Sequence, residues 1–163
     1  KDVTVYMVEL SKRLLSDTES ITVTAMINSI NNIERMGDHT EDIARLIKSK
    51  IDKNLIFSDA ATDELKHLLE LVTWMYDNTI ILLKDKNPEL AKSTAELEDK
   101  VDELCKDLAN HHIARLEAGK CNVESGVVFL DIINHFERIA DHIYKVSLLS
   151  KDELQGVFRA EAK

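Results

Sequence analysis

The chain has 163 residues, 44% of them hydrophobic and 31% charged, a balance that suits one folded, soluble domain with a sizeable core and not a disordered chain. Thirty acidic against 21 basic residues leave a net charge of −9, which opposes nucleic acid or an anionic membrane as the main partner and makes cations the natural counterpart. Four glycines and one proline argue against a turn-rich β fold, and two cysteines without C-x-x-C spacing suit a compartment that keeps thiols reduced, such as the cytosol.

Helical periodicity runs almost throughout. A short first helix places Val3, Tyr6, Met7, Leu10 and Leu14 on one stripe and is expected to stop near residues 16–20. A second carries Met26, Ile30, Ile33, Gly37, Ala44 and Ile47 down one side to about Ile51. After a break at 54–59, with Ser58 as candidate N-cap, a third covers roughly 60–83, with Trp74, Met75, Ile80 and Leu83 read as core. Asn87-Pro88-Glu89 supplies a cap, a proline at the first helical position and an acid at the positive helix end. The fourth helix then runs to about Ala118 and stops at Gly119, and a fifth runs from 122–125 to about Ser150, leaving a tail at 151–163. Long helices with short connections fold back on one another, so the fold class is an all-α antiparallel helical bundle. No apolar run approaches a membrane span, and no signal peptide is recognisable.

The chain also repeats itself. INNIERMGDH at 30–39 returns as INHFERIADH at 133–142, offset by 103 positions with like-for-like apolar exchanges. Each copy holds an acidic pair four residues apart, Glu34/Asp38 and Glu137/Asp141, and such pairs emerge on one helix face. With Ile30 as origin and about 100° per residue, Glu34 and Asp38 fall at the border of the apolar stripe, not opposite it. Helix four offers a third pair, Glu98 and Asp102, which is expected to face Glu137 and Asp141 across the seam between helices four and five. Like charges gathered at a core edge repel and call for compensation. A metal ion supplies it through oxygen ligands (magnesium, calcium, manganese or iron), with His39 or His142 favouring iron, zinc or manganese. Arg35 and Arg138 offer the other resolution, salt bridges without metal. With 30 acids in 163 residues, about one acid in five has another four positions on by composition alone, so spacing carries little and the weight lies on duplication and border position. His67, His111, His112 and His135 read as surface or seam residues, with His112 nearest the apolar face. No glycine-rich phosphate loop, nucleophile elbow or H-E-x-x-H is present, and neither motif helix has a histidine three after its glutamate, so an enzyme is not expected.

Glu34-Arg35-Met36-Gly37-Asp38 and Glu137-Arg138-Ile139-Ala140-Asp141, with Glu98-Asp99-Lys-Val-Asp102 on the preceding helix, resemble the signature of the PhoU family of phosphate-uptake regulators. The stretch HIARLEAGKCNVESGVVFLD at 112–131 and the Phe57-Ser58 start of the third helix are similar to the PhoU-type domain at the carboxyl end of bacterial sodium/phosphate cotransporters. The resemblance implies two three-helix repeats. The first is truncated at its amino end and covers 1–52, the second is complete at 53–150, and a tail follows at 151–163. It further implies a non-enzymatic accessory domain on the cytoplasmic side of the cell membrane, docked on a transmembrane phosphate-transporter part of the same parent chain and not itself inserted in the membrane. Iron or zinc would sit at Glu98, Asp102, Glu137 and Asp141, with Asp99 as a neighbour, and a half-built second site at Glu34 and Asp38. A soluble PhoU-type regulator of a phosphate importer, and a purely structural bundle without metal, stay open beside it, as does a homodimer.

Overall fold

A computed structural model of the chain describes the backbone of residues 2–85 and 88–161, and the side chains of 3–85, 90 and 92–148. It consists of five helices with no strand among the described residues: α1 (Asp2–Ser11), α2 (Asp17–Asp52), α3 (Asp59–Asp85), α4 (Pro88–Glu117) and α5 (Val123–Glu161). Their ends follow local chemistry. Ser16 caps α2 in a capping box, its hydroxyl accepting from the Glu19 N–H while the Glu19 carboxylate accepts from the Ser16 N–H at 2.8 Å. The S-x-x-E pattern places this start inside the stretch expected to be a break.

Two matching C-terminal caps close α2 and α4. Asn54 at φ 53° and Gly119 at φ 66° adopt the left-handed conformation, and the next residues donate six-to-one bonds, Leu55 N–H to the Lys50 carbonyl and Lys120 N–H to the Arg115 carbonyl, each 2.9 Å. Ser58 Oγ accepts from the Ala61 N–H at 3.2 Å and opens α3, and Asn122 Oδ1 accepts from the Ser125 N–H at 2.7 Å and opens α5. The Asn87 cap and the Glu89 side chain lie outside the described residues. Helix α5 continues to Glu161, beyond the Ser150 expected as its end.

The core is built by α3, α4 and α5: Leu68, Val72 and Met75 meet Leu97, Val101 and Leu108 over Phe129, Ile133, Phe136 and Ile143. Helix α2 lies antiparallel along α5, α1 packs on α2, and α5 is touched by α2, α3 and α4. This three-sided contact explains why apolar residues wrap so much of α5. The backbones of α2 and α3 stay apart, with no pair of Cα atoms within 8 Å among the described residues. An open apolar trough therefore runs between them over Phe136, Ile139 and Ile143.

That gap corrects several expectations about the core. Ile33 and Ile47 of the α2 stripe are 52% and 44% exposed on the trough wall, and Met26 is also exposed. Trp74 is 55% exposed and Leu83 is partly so, whereas Met75 beside them is fully buried, because α3 turns only its Leu68/Val72/Met75 edge to α4 and α5. Among the described residues of α1 only Met7 is buried; Val3 and Tyr6 have a single neighbouring helix and remain open. Among the described residues no helix is long and apolar enough to cross a membrane.

Candidate functional site

Helix α4 carries Glu98 and Asp102 and helix α5 carries Glu137 and Asp141, all half-buried at the seam where the two helices pack. Behind them stand Val101 and Cys105, both in the core. The Glu98 carboxyl is held above its ordinary value of 4.5, first by burial and then by the charges of Asp102, Asp99, Asp141 and Glu137. The Cys105 thiol is pushed up to about 12 by burial, then by Glu137 and Asp102. The seam therefore gathers the four expected acids, with Asp99 exposed at its rim. Lys145 reaches Asp141 Oδ2 at 2.6 Å, one turn along α5, and is the cation that partly answers this charge.

Hard oxygen donors under mutual repulsion have the chemistry that a divalent or trivalent metal ion requires. They are spread along the seam. Among the described residues, three or more metal-ligating atoms all within 4.8 Å of one another occur at a different place, formed by His39, Asp42 and His135.

The first copy of the motif is less enclosed. Glu34 and Asp38 are exposed on α2, and Glu9 of α1 is paired with Lys12 at 2.6 Å. The arginines next to each glutamate do not act as expected. Among the described residues the ion pairs of α2 and α5 run from Arg45 to Glu41 and Asp42, from Lys53 to Glu124 and from Lys145 to Asp141, and neither Arg35 nor Arg138 joins one. A residue adjacent to the acid points about 100° away from it, and the charges of the exposed motif arginines are felt on the α2–α5 side. There Arg138 acts on the charge of His39 and Arg35 on that of His142.

His39 and His142 follow the same geometry and turn from the carboxylates into the α2–α5 seam. His39 Nδ1 lies 3.0 Å from His135 Nδ1, His142 Nδ1 lies 2.9 Å from Asn32 Oδ1, and the rings of His39 and His142 stack at 5.7 Å. Burial holds both His39 and His142 below the ordinary imidazole value, with His135 the next cause for His39 and Lys145 for His142. The participation of His135 and Asp42 was not anticipated. The signal lay in the repeat, whose 103-residue offset maps His39 on His142 and Asn32 on His135.

His112 is 5% exposed against Phe129, with Gly126 of α5 directly beneath its ring. Near it, Arg115 Nη1 donates to Glu64 Oε1 at 2.9 Å and Nη2 lies 2.8 Å from Oε2, a half-buried pair that ties α4 to α3. His111 remains exposed on the same glutamate at 3.0 Å, and His67 is exposed.

The profile of a family described as PhoU domain matches residues 2–47 and 65–149, which takes in both motif copies and all of the α4–α5 seam. The phosphate-specific transport system accessory protein PhoU homolog of Deinococcus radiodurans is 26% identical over 129 residues, 77% of this chain and 57% of that protein. The proteins of the same description from Streptococcus pneumoniae and Clostridium acetobutylicum are 25% identical over 124 residues and 26% over 133, covering 56% and 57% of their lengths. The chain thus spans a little over half the length of the curated relatives it matches.

Proposed function

This chain belongs to the PhoU domain family, and from that membership we propose that it is an accessory, regulatory domain of phosphate transport that works through metal held at its acidic seam rather than as an enzyme. The metal, iron or zinc before magnesium, manganese or calcium, is held by Glu98, Asp102, Glu137 and Asp141. The domain docks on the cytoplasmic face of a transmembrane phosphate transporter. The similarity of the 112–131 stretch to cotransporter domains points to a sodium/phosphate cotransporter, of which this domain would be one part. Glu34 and Asp38 form a second, weaker site.

One observation carries the reading. Acidic pairs from two helices line one seam, where burial and mutual charge press on Glu98, and the second motif copy supplies half of that set. A cation there would remove the repulsion and present its remaining coordination positions to phosphate oxygens or to a partner's acids. Elemental analysis of protein purified without added metal or chelator tests it. Glu137→Ala with Asp141→Ala should lower the metal content by about one equivalent per chain, given that two of four oxygen ligands are lost; an unchanged content refutes the site. Co-purification with full-length cotransporter, reduced by the same double substitution, would support the docking role, and unimpaired co-purification would separate docking from metal.

A further inference from the structure

We propose that His39, Asp42 and His135 form a separate transition-metal site, of the zinc type, that clamps α2 to α5 across the seam between the two motif helices. The ligand atoms of the three lie within 4.8 Å of one another, and all three side chains are half-buried. Asp42 follows His39 by three positions, so both project from one face of α2, and His135 meets them from α5. The two Nδ1 atoms face one another at 3.0 Å with ring centroids 5.2 Å apart. Tetrahedral coordination with metal–nitrogen bonds of about 2.0–2.1 Å needs the nitrogens about 3.3 Å apart, so the pair has to open by only about 0.3 Å. Three protein ligands leave a fourth position for water or an anion, and two imidazoles with one carboxylate select zinc, cobalt, nickel or iron(II) over magnesium and calcium.

The internal repeat supplies a built-in comparison. The 103-residue offset carries His39, Asp42 and His135 onto His142, Lys145 and Asn32. On that side an amide oxygen accepts from His142 at 2.9 Å, and the lysine in the carboxylate's place is bound to Asp141 at 2.6 Å. That half is satisfied as a hydrogen bond and has one metal-ligating side chain where the other half has three. The surroundings of the three-ligand half are mixed. Asp38 and Asp42 favour a positive charge at His39 and Arg138 opposes it, while Arg45 Nη1 holds Asp42 Oδ1 at 3.2 Å and engages only one of the two carboxylate oxygens. The stacked His142 ring supports His39 from behind.

The site stands independently of the acidic seam, so the test removes the seam. The 163-residue chain, stripped with chelator, is titrated with Zn2+ by calorimetry and with Co2+ by visible absorption, alongside a Glu98→Gln/Asp102→Asn/Glu137→Gln/Asp141→Asn variant. The variant should bind one Zn2+ per chain and give the absorption of nitrogen-ligated cobalt. Adding His135→Asn, which copies the other half of the seam, should weaken binding by more than about 100-fold, since losing a ligand exceeds the loss from an outer-shell partner. Unchanged affinity after His135→Asn, or no binding by the four-acid variant, overturns the proposal. Histidine 15N shifts of the unsubstituted chain keep the test free of any folding defect. Zn2+ should move the Nδ1 signals of both His39 and His135, and their standing still refutes the clamp.

Discussion

Gly126→Ala probes a close approach between α4 and α5. A Cβ at position 126 lands on the Nε2 and Cε1 atoms of His112. That ring is 5% exposed and packed against Phe129 at 5.7 Å and against Cys121 Sγ at 3.8 Å, so it can yield only into the cavity of about 440 Å³ that it lines with Arg115 and Phe129. Overpacking of this kind costs about 1–3 kcal/mol, while alanine in place of a helical glycine returns about 0.8–1 kcal/mol. The expected net is a loss of up to about 2 kcal/mol, or up to roughly 8 °C in Tm at about 2–4 °C per kcal/mol for a chain of this size. Urea unfolding followed by circular dichroism measures it, with an unchanged m-value showing that two-state unfolding persists. The decisive arm is the double-mutant cycle. In a His112→Ala background the new methyl enters vacated space, so the same Gly126→Ala change should become stabilising by about 0.5–1 kcal/mol. An equal loss in both backgrounds, or a gain in the unsubstituted chain, refutes the clash as the cause.

His112 also gives stability a pH slope. Burial first, then Arg115, lower its pKa from 6.5, with Glu64 acting the other way. Below 6.5 the unfolded chain therefore binds more protons than the folded one, and stability falls with falling pH by at most about 1.4 kcal/mol per unit from this group. Thermal unfolding of chelated protein between pH 7.5 and 5.5 should show that decline, and His112→Asn should flatten it; an identical slope in the variant would remove His112 as its source. The two thiols should separate in reactivity. Cys105, pushed up to about 12 and sealed in the core, is about one ten-thousandth thiolate at pH 8, whereas Cys121 is half-exposed, so one equivalent of alkylating reagent should react before unfolding and the second only after. Mass spectrometry locating the first adduct on Cys105 would contradict this burial.

Much of the scaffold was legible because its punctuation is local. Gly119, Asn54, Pro88 and Ser58 each mark a helix end through a property of that residue alone, and each end falls where that chemistry puts it. The acidic seam was legible for a related reason: Glu98 and Asp102 border the same stripe as Val101 and Cys105, so burying the stripe carries them to α5. Periodicity reports which residues share a face and stays silent on whether a neighbour covers that face. Trp74 and Met75, or Ile33 and Ile43, differ only in what lies opposite, and the separation of α2 from α3 decides their fates. The grouping of His39 with Asp42 and His135 depends on the axial register of α2 against α5, a relation between segments 96 residues apart that no single helix encodes. The motif arginines illustrate the same limit, since adjacency to a glutamate says nothing about which helix they will face.

Helix α5 rests against three others and α1 against one. The chain's tolerance of mutational drift is graded accordingly. A changed side chain on α5 must be accommodated by as many as three packed surfaces at once, and by two motif copies where it touches the α2 seam. On α1 a change is answered by a single surface with solvent on the other side. Variation among descendants of this sequence is thus directed outward, away from the helix on which both halves of the repeat converge.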